Sequence, residues 1–209
     1  MSAAETQFAT TQAGGSQRLT LWAHGNDLVR QDLLMRRGYS RGKPPEAQRR
    51  RSMELPIPEI PTPEGYTIRA LGAESELPAR SWVSWKAFHP YEPDEKYQGW
   101  EWYRNVQSAP LYRRDLDLVA VAPNGDFAAF VTLWFDDLTR TAAFEPVGTH
   151  PDHQRKGLGK ALMAEGLRRV RDSGATLCTV GSYSERAGNL YASMGFTEYD
   201  LDEPWVKEW

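Results

Sequence analysis

A single cysteine, Cys178, is the only thiol in this 209-residue chain, so no internal disulfide can form. It lies in the apolar run Leu177-Cys-Thr-Val180, where a buried and unreactive thiol is expected. Histidine is scarce too: the four residues are dispersed, with no metal-ligand spacing, and no metal is expected. No apolar run approaches the roughly 20 residues of a membrane span. Residues 1–17, rich in Ala, Thr, Gln and Gly, lack the basic start and apolar stretch of a secretory signal. Basic charge is not in excess either. Lys and Arg number 25 against 28 Asp and Glu, a formal net charge of −3, which argues against a nucleic-acid partner. A cytoplasmic protein working without nucleic acid, membrane or metal is the expectation.

What is present is ordinary globular composition, 40% hydrophobic and 25% charged, in a length that suits one domain plus a partial second. Four prolines between Leu55 and Gly65 exclude a helix interior or a central strand and read as an extended linker. The expected organisation is a disordered tail at 1–17, an arm at 18–54, the linker at 55–64 and a main domain at 65–209. In the main domain, periodicity and turn signals predict strand 66–71, helices 73–88 and 94–107, and strands 116–122, 127–135 and 142–149. Helix 157–172, strand 175–181, helix 185–194 and strand 205–209 follow. The order β-α-α-β-β-β-α-β-α-β makes a mixed α/β fold, with a central sheet of about six to seven strands and helices on both faces. Asn124-Gly125 marks the hairpin turn within it.

The arm carries an echo. Strand 19–23, helix 26–37 and the stop Gly38-Tyr39 repeat the pattern of 176–196, which ends on Gly195-Phe196. The arm reads as the closing half of a second, incomplete copy of the fold, or as an unrelated strand–helix unit. Leu28, Leu33, Leu34 and Met35 need a cover, either the main domain or a partner chain in a homodimer.

The most informative stretch is Thr149-His-Pro-Asp-His-Gln-Arg-Lys-Gly-Leu-Gly-Lys160, between a strand and a helix. Glycines at the helix start, flanked by basic residues, point backbone N–H groups at a phosphate. It is not a P-loop: Gln154 stands where the first glycine belongs and Ala161 where the hydroxyl belongs. It is not a dinucleotide fingerprint, since Leu162 replaces the third glycine. Gln154-Arg-Lys-Gly157-Leu-Gly159, with Ala187-x-x-x-Tyr191-x-x-x-Gly195-Phe196 downstream and this element order, resembles the GNAT superfamily of N-acetyltransferases. The resemblance covers about two-thirds of the chain and makes 18–54 a partial GNAT-like half.

The resemblance implies acetyl-CoA as acyl donor and an amine acceptor that attacks the thioester directly. It implies that Gln154, Arg155, Lys156, Gly157, Leu158, Gly159 and Lys160 cradle the pyrophosphate. Val147, Gly148 and Thr149 would bond the pantetheine arm through their backbone. Tyr191 would be the general acid for the departing thiolate, and Leu34 at the matching place in the arm would leave that half non-catalytic. Ser184 stands where many members of the family have an asparagine contacting the cofactor. Glu145, of the same strand parity as Val147 and Thr149, is the first choice of base, or else an anion that binds a cationic amine. His89 and His150 are lesser candidates. Trp82, Trp85, Phe88, Tyr91, Tyr97, Trp100, Trp102 and Tyr103 form an aromatic window, either helix packing or the wall of an acceptor pocket. A non-catalytic acyl-CoA-binding or regulatory module, or an interaction subunit docking through the arm, are the alternatives.

Overall fold

In the computed structural model, which describes residues 2–209, the chain begins with α1 (Ser2–Phe8), β1 (Thr10–Thr11), β2 (Gln17–His24), α2 (Leu28–Arg36), β3 (Ser40–Arg41) and β4 (Glu46–Ser52). Next come β5 (Thr67–Ala70), α3 (Leu77–Phe88), α4 (Tyr103–Gln107), β6 (Asp117–Val121), β7 (Phe127–Asp136) and β8 (Thr141–Thr149). The last elements are α5 (Leu158–Asp172), β9 (Leu177–Ser182), α6 (Glu185–Ser193) and β10 (Thr197–Glu208). The fold is mixed α/β, as expected. Two units divide the chain: one holds residues up to 49 with 181–188 and 198–209, the other 50–180 with 189–197.

In the first unit, β2 runs antiparallel to β10 from His24 opposite Asp202 to Arg18 opposite Glu208, and β1 extends β2. Alternation along β2 buries Leu19 and Ala23, which form a small core with Leu34, Tyr39 and Trp205. Asp27 caps α2 by accepting from the Arg30 N–H at 3.0 Å. One face of α2 stays outside this core, with Leu28, Val29, Leu33 and Met35 exposed.

In the second unit the strand order is β9-β8-β7-β6-β5, antiparallel except for the parallel β8–β9 pair. A parallel pair needs a crossover, and α5 supplies it. This helix buries Leu158, Leu162, Met163, Leu167 and Val170 and turns Arg168, Arg169 and Arg171 outward. Full burial of Leu162 or Leu167 contributes about 1.5–3 kcal/mol each. The faces of the sheet are told by its closest approaches. A Cβ at Gly166 of α5 would lie 2.8 Å from Leu133 and 3.0 Å from Phe144. One at Gly148 of β8 would lie 2.3 Å from Phe130 and 3.0 Å from Ala87 of α3. Helices α5 and α3 therefore cover opposite faces of β7 and β8. Buried Arg51 fixes the start of the proline segment: its guanidinium donates to the carbonyls of Leu55 at 3.1 Å and Pro56 at 2.8 Å, and to Met194 O at 2.9 Å.

Four expectations change. Residues 2–17, read as a disordered tail, hold α1 and β1; Glu5 accepts from Lys207 at 2.9 Å and from the Tyr39 hydroxyl at 3.2 Å, contacts that composition cannot reveal. Met1 lies outside the described residues. The helix expected over 94–107 breaks into a single 3-10 turn at Asp94–Lys96 and the short α4, because Tyr97 is extended and Gly99 sits at φ +90°. The final strand begins at Thr197 rather than 205; its acidic residues and Pro204 hide a β pattern that pairing with β2 enforces. Ten strands form among the described residues, above the six to seven expected, since residues 2–52 contribute four.

Candidate active site

The loop after β8 is closed by its own side chains. His150 Nδ1 accepts from the Asp152 N–H at 3.3 Å, and the Gln154 side-chain amide donates to Thr149 O at 3.3 Å. Burial holds the His150 imidazole below its ordinary pKa. Arg155 and Gly157 both take left-handed backbone, φ +66° and +84°, and Gly157 starts α5 with no side-chain cap. Alternating handedness of this kind turns successive N–H groups inward as an anion nest. None of the N–H groups from Arg155 to Lys160 donates to another described residue. Six unengaged donors and a helix N-terminus suit a pyrophosphate. A side chain at Gly159 would press on Leu190 Cδ2 at 3.3 Å, so the first turn of α5 lies against α6. The Lys156 ammonium donates to the Tyr66 hydroxyl at 3.1 Å, and that hydroxyl is 2.9 Å from His153 Nδ1. Arg155 and Lys160 extend into solvent.

Tyr191, on α6 one residue beyond Leu190, is buried and inclined to Phe196, ring centroids 6.4 Å apart. Ser184 falls in the first unit, where its hydroxyl accepts from the Ala187 N–H at 3.3 Å at the start of α6.

Glu145 sits at an irregularity of β8. Val147 pairs with Val131 and Phe144 with Leu133, so Glu145 and Pro146 together oppose Thr132 alone, a β-bulge. The bulge breaks the parity argument. Gly148 faces α3, so Val147 and Thr149 point to the α5 face, whereas Glu145 lines a cavity on the α3 face. The Trp134 indole N–H donates to Glu145 O at 2.6 Å and anchors the bulge.

Two cavities open there. One of 480 Å³ is lined by Ser84, Trp102, Tyr103, Val106, Trp134, Ala143, Glu145 and Pro146. The other, of 860 Å³, shares Ser84, Trp102 and Pro146 and adds Trp85, Phe88, His89, Glu92, Glu95, Tyr97 and others of the loop between α3 and α4. The aromatic window therefore divides. Trp85, Phe88, Tyr97 and Trp102 are wall; Trp100 packs on the core; Tyr103 does both; Tyr91 projects into solvent. His89 lines the larger cavity with its ring stacked on Trp85, centroids 5.0 Å apart.

Beneath the smaller cavity lies a buried polar cluster that the sequence patterns did not disclose. Fully buried Asp117 accepts from Arg80 Nε at 3.0 Å, Tyr103 at 2.7 Å, Tyr112 at 3.0 Å and Thr132 at 3.3 Å. Arg80 falls within the expected helix 73–88 and Asp117 within the expected strand 116–122; only tertiary pairing joins them. Ser84, Glu92, Glu95 and Tyr66 were missed as well, and only the helical spacing of Ser81, Ser84 and Trp85 could have pointed to one lining face. Cys178 is buried as expected, and burial pushes its thiol up to about 12. No group of three or more His, Cys, Asp or Glu suited to a metal ion occurs among the described residues. No helix among them is long and apolar enough to cross a membrane.

The family model described as "Acetyltransferase (GNAT) family" matches residues 77–196. The mycothiol acetyltransferase of Thermomonospora curvata is 29% identical over 188 residues, covering 88% of this chain and 62% of that protein. The chain spans about three-fifths of the length of the curated relatives it matches. Among solved structures, a tandem GNAT protein from the clavulanic acid biosynthesis pathway gives a TM-score of 0.72 at 15% identity, over 91% of this chain and 64% of that one. A GNAT family acetyltransferase from Brucella melitensis, in complex with acetyl-CoA, gives 0.50 at 23% identity, over 66% of this chain and 86% of that one. At these identities the structural likeness shows the fold alone.

Proposed function

Because the chain belongs to the acetyltransferase (GNAT) family, we propose that it transfers an acetyl group from acetyl-CoA to an amine. The observation that carries this reading is the run of unengaged N–H groups from Arg155 to Lys160, set against the helix that bears Tyr191. The nest and the α5 N-terminus hold the pyrophosphate, with Gly157 and Gly159 keeping Cβ atoms out of its way and Gln154 and Leu158 holding the loop in shape. Arg155, Lys156 and Lys160 contribute positive charge. The backbone of Val147, Gly148 and Thr149 bonds the pantetheine arm.

Bound acetyl-CoA supplies an activated acyl carbonyl. Glu145, at the cavity wall, accepts a proton from the acceptor ammonium, directly or through water, and frees the nitrogen lone pair. The nitrogen bonds to the acyl carbon, the carbon–sulfur bond breaks, the Tyr191 phenol delivers a proton to the departing sulfur, and the second proton of the nitrogen returns to the Tyr191 oxygen, directly or through water. The products are the acetylated amine and the free thiol. We place the protein in the cytoplasm and read the exposed face of α2 as covered in a homodimer.

Titration calorimetry with acetyl-CoA, followed by thiol release on adding amines, tests the reading. Binding in the micromolar range and amine-dependent thiol release are expected. No binding of acetyl-CoA would sink it.

A further inference from the structure

We infer that the acceptor carries a second positive charge, as in a diamine or longer polyamine, laid across both cavities; this rests on the acetyltransferase reading above. The two cavities share Ser84, Trp102 and Pro146, so one elongated molecule fits both. Ser84 is only 8% exposed, yet its hydroxyl has no hydrogen-bond partner among the described residues. An unpaired hydroxyl on the wall common to both cavities is a site for an N–H donor.

The charge balance points to two ammonium groups rather than one. In the larger cavity Glu92 is paired with Lys96 at 3.1 Å, and nearby Lys86 is turned to Asp94 at 2.9 Å. Glu95 in the larger cavity and Glu145 in the smaller, both partly open to solvent, form no ion pair among the described residues. An acceptor with one ammonium at Glu145 satisfies one carboxylate and leaves the other facing an uncharged tail. A second ammonium reaches Glu95 along walls made by Trp85, Tyr97 and Trp102, whose ring faces favour cations and whose apolar area takes the methylenes.

The test measures thiol release by the full chain with acetyl-CoA and 1,5-diaminopentane, spermidine or pentylamine. The diamine should exceed the monoamine in kcat/KM by about tenfold, the worth of one ion pair plus one cation–π contact. Glu95→Gln should bring that ratio to about one. A ratio near one in the native chain, or a ratio unmoved by Glu95→Gln, overturns the inference. So does acetyl-CoA binding without transfer to either polyamine, which leaves the donor reading standing. Absence of acetyl-CoA binding would instead remove the acetyltransferase reading itself.

Discussion

Asp117→Asn puts the buried polar cluster to a direct test. Each carboxylate oxygen of Asp117 accepts twice: Oδ1 from Arg80 and Thr132, Oδ2 from Tyr103 and Tyr112. An asparagine has one acceptor oxygen, so whichever way it turns, its NH₂ faces two donors. The charge is lost too, while the Arg80 guanidinium stays fully buried over the Phe130 ring, 3.9 Å from the centroid. Removing one partner of a buried ion pair costs about 3–5 kcal/mol. For a chain of this size each kcal/mol lowers the melting temperature by about 2–4 °C, so a fall of about 6–20 °C is expected. Burial, with the carboxylate beside them, pushes the Tyr103 and Tyr112 phenols well above the ordinary tyrosine range, so both remain donors at any working pH. Thermal unfolding followed by circular dichroism reads the fall. Arg80→Met with Asp117→Leu should be less damaging than Asp117→Asn alone, since an apolar pair leaves no uncompensated charge. Tyr103 also walls the smaller cavity, so KM for the amine should rise more than KM for acetyl-CoA. A melting temperature within about 2 °C of the native chain would refute the reasoning, because that range is left to contacts outside buried networks.

Tyr191→Phe should lower kcat by about a hundredfold or more while the acetyl-CoA dissociation constant holds within about twofold; a large affinity loss would make the tyrosine structural. Gly148→Ala puts a methyl 2.3 Å from the Phe130 ring, so overpacking should destabilise by about 1–3 kcal/mol in urea unfolding. An unchanged midpoint would contradict the close approach of α3 to β8. The Arg69 guanidinium, bonded to both oxygens of Glu76 at 2.8 Å, holds that carboxyl below its ordinary value of 4.5. A depressed carboxylate stabilises fully above 4.5 and loses its effect as pH falls through the folded-state value. The stability gap between the native chain and Glu76→Gln should therefore shrink from pH 7 to pH 3, and an equal gap at both would refute the assignment.

The loop proposed to hold the donor was legible in the sequence because its geometry is set by the backbone. Gly157 sits at φ +84°, a conformation that L side chains rarely adopt, and a Cβ at Gly159 would press on Leu190 at 3.3 Å. The Asn124-Gly125 hairpin was legible on the same ground: Asn124 Oδ1 accepts from the Asp126 N–H at 3.2 Å within the turn itself. Helix α5 showed itself by its apolar stripe. What stayed hidden depends on contacts distant in sequence. Asp117 meets Arg80 across 37 positions, Glu5 meets Lys207 across 202, and neither pairing leaves a local pattern. The loop from Tyr97 to Trp102 keeps helical spacing of its aromatics, yet Gly99 at φ +90° turns the chain out of the helix and opens the larger cavity.

The bulge at Glu145 and Pro146 lets one strand serve two faces. Phe144 packs toward α5 at Gly166, and four residues on Gly148 packs toward α3 at Ala87. In regular alternation, residues an even number apart share a face; the extra residue opposite Thr132 lifts that constraint. The backbone N-terminal to the break thus presents Glu145 to the smaller cavity, proposed for the acceptor, while the part beyond it leads straight into the loop 155–160. The Trp134 indole, donating to its carbonyl, holds Glu145 at this break. In the proposed reaction donor and acceptor would meet on this one strand, and the break in its pattern, invisible to parity counting, would put the proposed base beside the arriving amine.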